Sequence, residues 1–206
     1  MRRVIGYIDG FNLYFGLKSK GWKRYYWLDL WKLVQRLLQT DQELEELNYF
    51  TARISTARGN SQDAQRQTTY LDALDTFPGL NVHEGHFLNK THECRRCGNR
   101  WPDYEEKMTD VNIATRLLAD AFDNRFDTAV LVSADSDLVP PVREIRERFP
   151  DKRIVAAMPP RRHSHELATA AHAHFQIGEQ KIRKSQLPEK IQTRSGFILR
   201  RPATWN

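Results

Sequence analysis

The sequence feature that most constrains the fold is an apolar run near the N-terminus that ends in a carboxylate. Residues 4–8 are β-branched or aromatic except for Gly6, which is typical of a strand buried on both faces of a parallel sheet. The run stops at Asp9-Gly10, a turn dipeptide. Because ligands bind at the carboxyl ends of strands in open α/β sheets, Asp9 is a candidate site residue. The alternative is that Asp-Gly serves only the turn.

The totals indicate one medium-sized domain with an appendage. The chain has 206 residues, of which 40% are hydrophobic, enough for a sizeable core. No apolar run approaches the roughly 18 residues of a membrane helix, and the short run after Arg2 and Arg3 does not resemble a signal peptide. We therefore expect no membrane partner. Cys94 and Cys97 are too few for a disulfide framework, which predicts a cytoplasmic location.

The net charge of +6 is concentrated at the C-terminal end. From residue 181 onward there are seven basic residues and one acid, Glu189, so residues 1–180 are formally neutral. The segment 179–206 also lacks hydrophobic periodicity, which predicts a basic C-terminal tail. Such a tail would attract a polyanion, above all nucleic acid. The alternative is a solvated segment that only aids solubility.

Strand patterns alternate with helix patterns along the rest of the chain. The clearest helix has Thr109 as its predicted N-cap, and a fully apolar strand follows at 128–133. Shorter patterns predict strands at 47–55, 80–88, 153–158 and 174–177 and helices at 28–38, 61–77 and 163–173. This alternation implies right-handed βαβ units, hence an α/β domain over residues 1–178 with a mostly parallel central sheet.

Four acids from distant parts of the chain are expected at one rim of that sheet. Asp135 and Asp137 follow the strand at 128–133, as Asp9 follows the first strand, and Asp110 lies in the first turn of a helix that starts at the same edge. Such carboxylates repel one another unless a hard divalent cation such as Mg²⁺ binds them. A cation centre of this kind activates water and stabilises charge on a phosphodiester. Taken singly, Asp110 could serve the helix dipole and Asp137 an N-cap.

Three ordered motifs, at 7–12, 106–112 and 133–138, resemble those of the NYN domain family, the PIN-like nuclease group that includes the LabA-like proteins. The resemblance spans about residues 3–178. It implies a PIN-like three-layer α/β/α sandwich and Mg²⁺- or Mn²⁺-dependent cleavage of RNA. Met108 stands where a glycine is common in the family. The resemblance implies catalytic and metal-binding roles for Asp9, Asp110, Asp135 and Asp137, a catalytic role for Asn12, and substrate contacts for Lys107, Ser133 and Asn112.

A polar insertion at 89–103 carries Cys94 and Cys97 in a CxxC pattern that resembles one knuckle of a zinc ribbon. A structural Zn²⁺ needs four ligands, and no second CxxC exists. His86 and His92 are the preferred additional ligands. Two alternatives are a homodimer in which two chains share one metal, and a pair of free thiols.

The leading functional hypothesis is a metal-dependent ribonuclease. The alternative is a non-catalytic adaptor that binds RNA or protein and keeps only the fold. A phosphatase-like hydrolase would need a second acid two residues after the nucleophilic Asp, and residue 11 is Phe11.

Overall fold

A computed structural model describes residues 1–54, 61–94 and 96–205, with residues 87–92 and 101–106 described by their backbone alone. The strands are β1 (Arg2–Asp9), β2 (Gln42–Ala52), β3 (Leu80–Glu93), β4 (Arg100–Lys107), β5 (Thr128–Val132), β6 (Arg153–Met158), β7 (Ala173–Gln176), β8 (Lys190–Gln192) and β9 (Ile198–Arg200). The helices are α1 (Gly10–Ser19), α2 (Leu30–Gln35), α3 (Ser61–Leu74), α4 (Thr109–Phe122), α5 (Val139–Arg148), α6 (His165–Ala170) and α7 (Glu179–Arg183). None of the described helices is both long enough and apolar enough to cross a bilayer.

The central sheet of the described chain has the strand order β4-β3-β2-β1-β5-β6-β7. All neighbouring pairs are parallel except β3 and β4, which are antiparallel. The order reverses direction at β1, since the chain moves outward through β2 and β3 and then returns to β5 on the other side of β1. Ligands bind at such a switch point in open α/β sheets. The predicted α/β class with a mostly parallel sheet is confirmed.

Helices cover both faces of the sheet and form two separate cores. On one face α1, α2 and α3 contribute Leu17, Leu33 and Leu74 to the first core. On the other face α4 and α5 contribute Ile113 and Val142 to the second core, together with Leu167 of α6. Successive side chains of a strand point to opposite faces, so Ile8 lies in the first core and Tyr7 in the second. The result is the expected three-layer sandwich.

A partly buried ion network ties α4 to the sheet. Asp120 of α4 is 2% exposed, and its carboxylate accepts hydrogen bonds from Arg116 and Arg125 at 2.9 Å each. The same two arginines donate to Glu46 on β2. Burial acts to raise the pKa of Glu46, but hydrogen bonds from Asn48 and Arg125 outweigh it and the pKa is lowered. The network therefore holds α4, the helix that supplies one of the candidate acids, against β2.

Residues 179–205 are folded onto the domain, so the prediction that this segment is a tail without secondary structure is wrong. It forms α7 and the β8–β9 hairpin, and it ends in a 3-10 turn at Ala203–Trp205. Five of its apolar side chains join the first core. The elements of this segment are three to five residues long, too short to show a hydrophobic period. The buried side chains are Ile182, Leu187, Ile191, Leu199 and Trp205.

The predicted insertion at 89–103 is the distal part of the β3–β4 hairpin. Asp9 pairs with Phe50 on β2, and Phe50 pairs with His83 on β3, so these three residues lie level at the carboxyl edge. From residue 84 onward β3 runs beyond that edge, with β4 beside it. The hairpin therefore projects from the same edge of the sheet that carries Asp9.

Candidate metal centre

Asp9 is the last residue of β1 and the N-cap of α1. One carboxylate oxygen, Oδ1, accepts a hydrogen bond from the backbone N–H of Asn12 at 2.9 Å, which satisfies a donor at the helix start. The other oxygen, Oδ2, accepts from the Ser133 hydroxyl at 2.9 Å. Asp9 is 3% exposed. The position of the Asp9 carboxylate is therefore set by the start of α1 and by its contact with Ser133, which follows β5.

Gly10 allows α1 to start this close to the sheet. A Cβ atom at this position would lie 2.6 Å from the carbonyl oxygen of Phe50 and 2.8 Å from the hydroxyl of Tyr49. Any side chain would push the start of α1 away from β2. The glycine of the Asp-Gly pair is thus required by the close approach between α1 and β2.

Ser133 and Asn12 join the ends of β1 and β5. The Ser133 oxygen accepts a hydrogen bond from the backbone N–H of Asp135 at 3.1 Å while its hydroxyl donates to Asp9. The Asn12 side-chain oxygen accepts from the backbone N–H of Ala134 at 3.3 Å. Ser133 is fully buried, which leaves no surface for the substrate contact predicted from the sequence. Its role is to orient two of the candidate acids.

Asp110 lies in the first turn of α4, as predicted, but the helix start differs from the prediction. Thr109 is the first helical residue, and the N-cap is Met108, which makes no side-chain capping hydrogen bond. Met108 has a φ of 79°, in the left-handed region. A glycine adopts this conformation without a Cβ clash, which gives a physical reason for glycine to be common here in the family that the sequence resembles.

We expect Met108→Gly to raise the free energy of unfolding by about 1 kcal/mol, because glycine has no Cβ atom to clash in the left-handed conformation. The extra entropy that glycine gives the unfolded chain opposes part of this gain. Urea denaturation measures the change. Met108→Ala is the matched control, since it truncates the half-exposed side chain but keeps the strained Cβ. If both variants change stability equally, backbone strain at Met108 is not the cause.

Three of the four predicted acids meet at the carboxyl edge. Asp9, Asp110 and Asp135 each offer a carboxylate oxygen, and these atoms all lie within 4.8 Å of one another. Asp137 is exposed and does not belong to this group. Its backbone N–H donates to Oδ1 of Asp135 at 3.0 Å. The structure therefore uses the Asp137 backbone to orient Asp135 and leaves its side chain at the surface.

The electrostatics of this group suit a divalent cation. Burial raises the pKa of Asp9, hydrogen bonds from Asn12 and Ser133 act against that rise, and the charge of Asp135 adds to it. An ionised Asp9 is therefore costly in the folded protein. Mg²⁺ and Mn²⁺ prefer carboxylate oxygens and remove this repulsion, so the donor set and its spacing fit such a cation.

We expect a saturating divalent cation to raise the melting temperature of the protein. At one hundred times Kd the stabilisation is about 2.7 kcal/mol, or roughly 5–10 °C for a chain of this size. Because the folded-state pKa of Asp9 is raised, its proton stabilises the fold below the unfolded-state pKa, and this contribution is lost as the pH rises through the folded-state pKa. A cation can bind where the proton has left, so the cation-induced rise in melting temperature should become larger as the pH increases through that window.

Differential scanning fluorimetry with Mg²⁺ or Mn²⁺ across that window measures the effect. Asp9→Asn should lose both the cation-induced shift and its pH dependence. The control is Asp123→Asn, at the exposed far end of α4, which should retain both. If neither cation changes the melting temperature of the wild-type protein, there is no metal centre here.

Two predicted substrate contacts lie beside the acids. Lys107 is the last residue of β4, half-buried, and leads directly into α4. Asn112 is half-buried in the first turn of α4, and its backbone N–H bonds to the Met108 carbonyl. Both residues flank Asp110 in sequence, and their contact with substrate stays a prediction.

The structure does not bring His86 to the cysteine pair. Cys94 is half-buried and Cys97 exposed, at the turn of the β3–β4 hairpin. His86 precedes Cys94 by eight residues on a continuous strand, which separates them by about 26 Å. A zinc site that includes both is therefore ruled out within one chain. The side chain of His92 lies outside the described residues.

Tyr49 is a further residue of the site, although its sequence pattern predicts only a strand. It is buried on β2 beside Gly10, and burial raises its pKa to about 12, with the charge of Asp9 acting in the same direction. Its phenol is therefore neutral at physiological pH. The alternation around residues 49–51 predicted the strand, but no local pattern indicated that Tyr49 would face Asp9.

Comparisons with known proteins identify the family and a similar fold. The family model for the NYN domain matches residues 3–178. A relative from Pseudomonas putida, named 6-hydroxy-3-succinoylpyridine 3-monooxygenase, is 30% identical over 240 residues, covering 97% of this chain and 74% of the relative. A crystal structure of a protein of unknown function from Vibrio parahaemolyticus has a TM-score of 0.52 at 20% identity, covering 90% of this chain and 96% of that one. The latter likeness concerns the fold alone.

Proposed function

Because this chain belongs to the NYN domain family, a nuclease-like family, we propose that it is a metal-dependent ribonuclease that hydrolyses RNA phosphodiesters. The observation that carries the proposal is the meeting of Asp9, Asp110 and Asp135, whose carboxylate oxygens lie within 4.8 Å of one another. These acids come from three separate parts of the chain and gather at the topological switch point of the sheet. Capping or turn formation alone does not require that arrangement.

The chain's own residues divide the work between holding a cation and holding the substrate. Asp9, Asp110 and Asp135 would bind Mg²⁺ or Mn²⁺, and Ser133 keeps the first and last of them in place through its hydroxyl. Lys107 contacts a backbone phosphate at the same edge. When bound, the cation supplies Lewis-acid activation of water and offsets the negative charge that builds on the phosphodiester.

The test is cleavage of a labelled RNA by purified protein in Mg²⁺, in Mn²⁺ and in EDTA. We expect cleavage with either cation and none with the chelator. Binding without cleavage under all three conditions would contradict the proposal and support the alternative of a non-catalytic RNA-binding adaptor. Cleavage that persists in EDTA would indicate a contaminating nuclease or a metal-independent reaction.

A second candidate function follows from the Pseudomonas putida relative. That protein is named as a monooxygenase of a substituted pyridine, and the similarity covers 97% of this chain. Turnover of 6-hydroxy-3-succinoylpyridine, with a nicotinamide reductant in air, tests the same activity here. Product formation from the pyridine without metal-dependent RNA cleavage would favour this candidate over the ribonuclease.

A further inference from the structure

The solvent face of α1 carries aromatic side chains. The helix buries Asn12, Leu13 and Leu17 against the domain, whereas Tyr14 and Phe15 are 41% and 43% exposed. Solvent-facing positions of a surface helix are usually polar. A single exposed aromatic residue would be ordinary, so the neighbours of these two rings decide whether they mark a site.

Two cations flank the exposed rings. The Lys18 Nζ atom lies 5.7 Å from the ring centroids of both Tyr14 and Phe15. The Arg162 guanidinium lies 5.8 Å from the Phe15 ring, and its buried Nε atom has no hydrogen-bond partner in the described part of the chain. These distances are those of cation–π contacts. We refer to Tyr14, Phe15, Lys18 and Arg162 as the α1 ridge.

The α1 ridge adjoins the acids. Asp9 caps α1, and Phe15 follows six residues later, about 9 Å along the helix axis. A Cβ atom at Gly16 would lie 2.9 Å from both the Pro159 Cβ and the Pro160 carbonyl oxygen. This close packing holds α1 against the loop after β6, the loop that carries Arg162. The ridge is therefore held in place on the helix that Asp9 caps, with Phe15 about 9 Å along the axis from Asp9.

We infer that the α1 ridge binds single-stranded RNA next to the cleaved phosphodiester, with bases stacked on Phe15 and Tyr14 and phosphates paired with Lys18 and Arg162. Rings alternating with cations are the chemistry that holds single strands without reading sequence. A protein-docking surface would instead have a core depleted of charge. A duplex hides the faces of its bases, so it cannot stack on the rings. This inference rests on the proposed function for the identity of the reacting group.

Phe15→Ala tests the inference directly. In EDTA, where cleavage is blocked, we expect this variant to bind a labelled single-stranded oligouridylate about tenfold more weakly than wild type, since stacking contributes about 1–3 kcal/mol per base. The matched control is Phe197→Ala, an exposed Phe in the β8–β9 turn, which should bind as wild type does. An RNA duplex of the same length should bind both variants equally. Equal affinity of the two variants for the single strand overturns the inference.

Lys18→Gln separates charge from stacking. It should reduce the magnitude of the slope of log K against log salt by about 0.7, the value for one phosphate contact on a single strand, whereas Phe15→Ala should leave the slope unchanged. If Lys18→Gln leaves the slope unaltered, Lys18 makes no phosphate contact, and the role proposed for Lys18 in the ridge is wrong. Thermal melts of all variants confirm that each is folded before binding is compared.

The outcomes keep the two proposals apart. If wild type shows no metal-dependent cleavage but Phe15→Ala still weakens single-strand binding relative to Phe197→Ala, the ribonuclease proposal fails and the ridge stands. If cleavage is metal-dependent and Phe15→Ala binds and cleaves as Phe197→Ala does, the ridge fails and the ribonuclease proposal stands.

Discussion

Asp135→Asn should lower the rate of metal-dependent RNA cleavage by about a thousandfold or more, since a lost metal carboxylate removes several kcal/mol of transition-state stabilisation. The substitution keeps the shape of the side chain, and its Oδ1 can still accept the Asp137 backbone N–H that it accepts now. The protein should therefore remain folded and still bind RNA. Single-turnover cleavage in Mn²⁺, with RNA affinity measured in EDTA, separates the two effects.

Asp137→Asn is the informative companion variant. Sequence resemblance places Asp137 among the metal-site acids, but in the structure its side chain is exposed and lies outside the group of three. We expect the cleavage rate of this variant to fall by less than about tenfold, because water screens the charge of an exposed carboxylate that does not bind the cation. Asp123→Asn, an exposed acid at the far end of α4, should have no effect. Equal losses in Asp135→Asn and Asp137→Asn would place both acids at the metal.

Trp205→Ala should lower the free energy of unfolding by about 3–5 kcal/mol, the usual cost of truncating a buried Trp. Trp205 is 9% exposed and packs against Tyr26, Trp27 and Tyr70, with ring centroids 5.8, 6.3 and 6.0 Å away. The side chain therefore joins the end of the chain to the first core. Urea denaturation measures the change, which corresponds to a melting temperature roughly 6–20 °C lower.

The matched control is Phe197→Ala, in the same C-terminal segment but 67% exposed. It should alter stability by no more than about 0.5 kcal/mol, as surface substitutions usually do. If Trp205→Ala were as mild, the packing of Trp205 against the first core would contribute little to stability. For the same reason, deleting this segment cannot test its contribution to RNA binding, since the deletion also removes core side chains.

Most of the sheet could be predicted from local patterns. The β6 prediction matches the structure, and β5 ends one residue before its predicted end at Ser133. These strands are recognisable because they are buried on both faces and therefore continuously apolar. Turn chemistry is equally local at the start of α2, where the Asp29 carboxylate accepts the backbone N–H of Lys32 at 2.8 Å and caps the helix. Local chemistry alone decides such features.

Errors arose where distant contacts decide the outcome. The C-terminal segment has no periodicity, yet it folds because the first core accepts its apolar side chains. The family resemblance implied a substrate contact for Ser133, but Ser133 is fully buried and its hydroxyl bonds to Asp9, so it orients an acid instead. His86 looked close to Cys94 in sequence, but a continuous strand separates them by about 26 Å.

The sequence by itself determined the alternation of strands and helices and the placement of an acid at the end of β1 and after β5. Hydrophobic period and turn chemistry act within a few residues, so they can be read without knowing the rest of the chain. Only the tertiary structure decided which acids share a centre, because that depends on strand order and on which side chains the packed helices leave exposed. It brings Asp110 to Asp9 and Asp135, turns Asp137 to solvent and places the α1 ridge beside them.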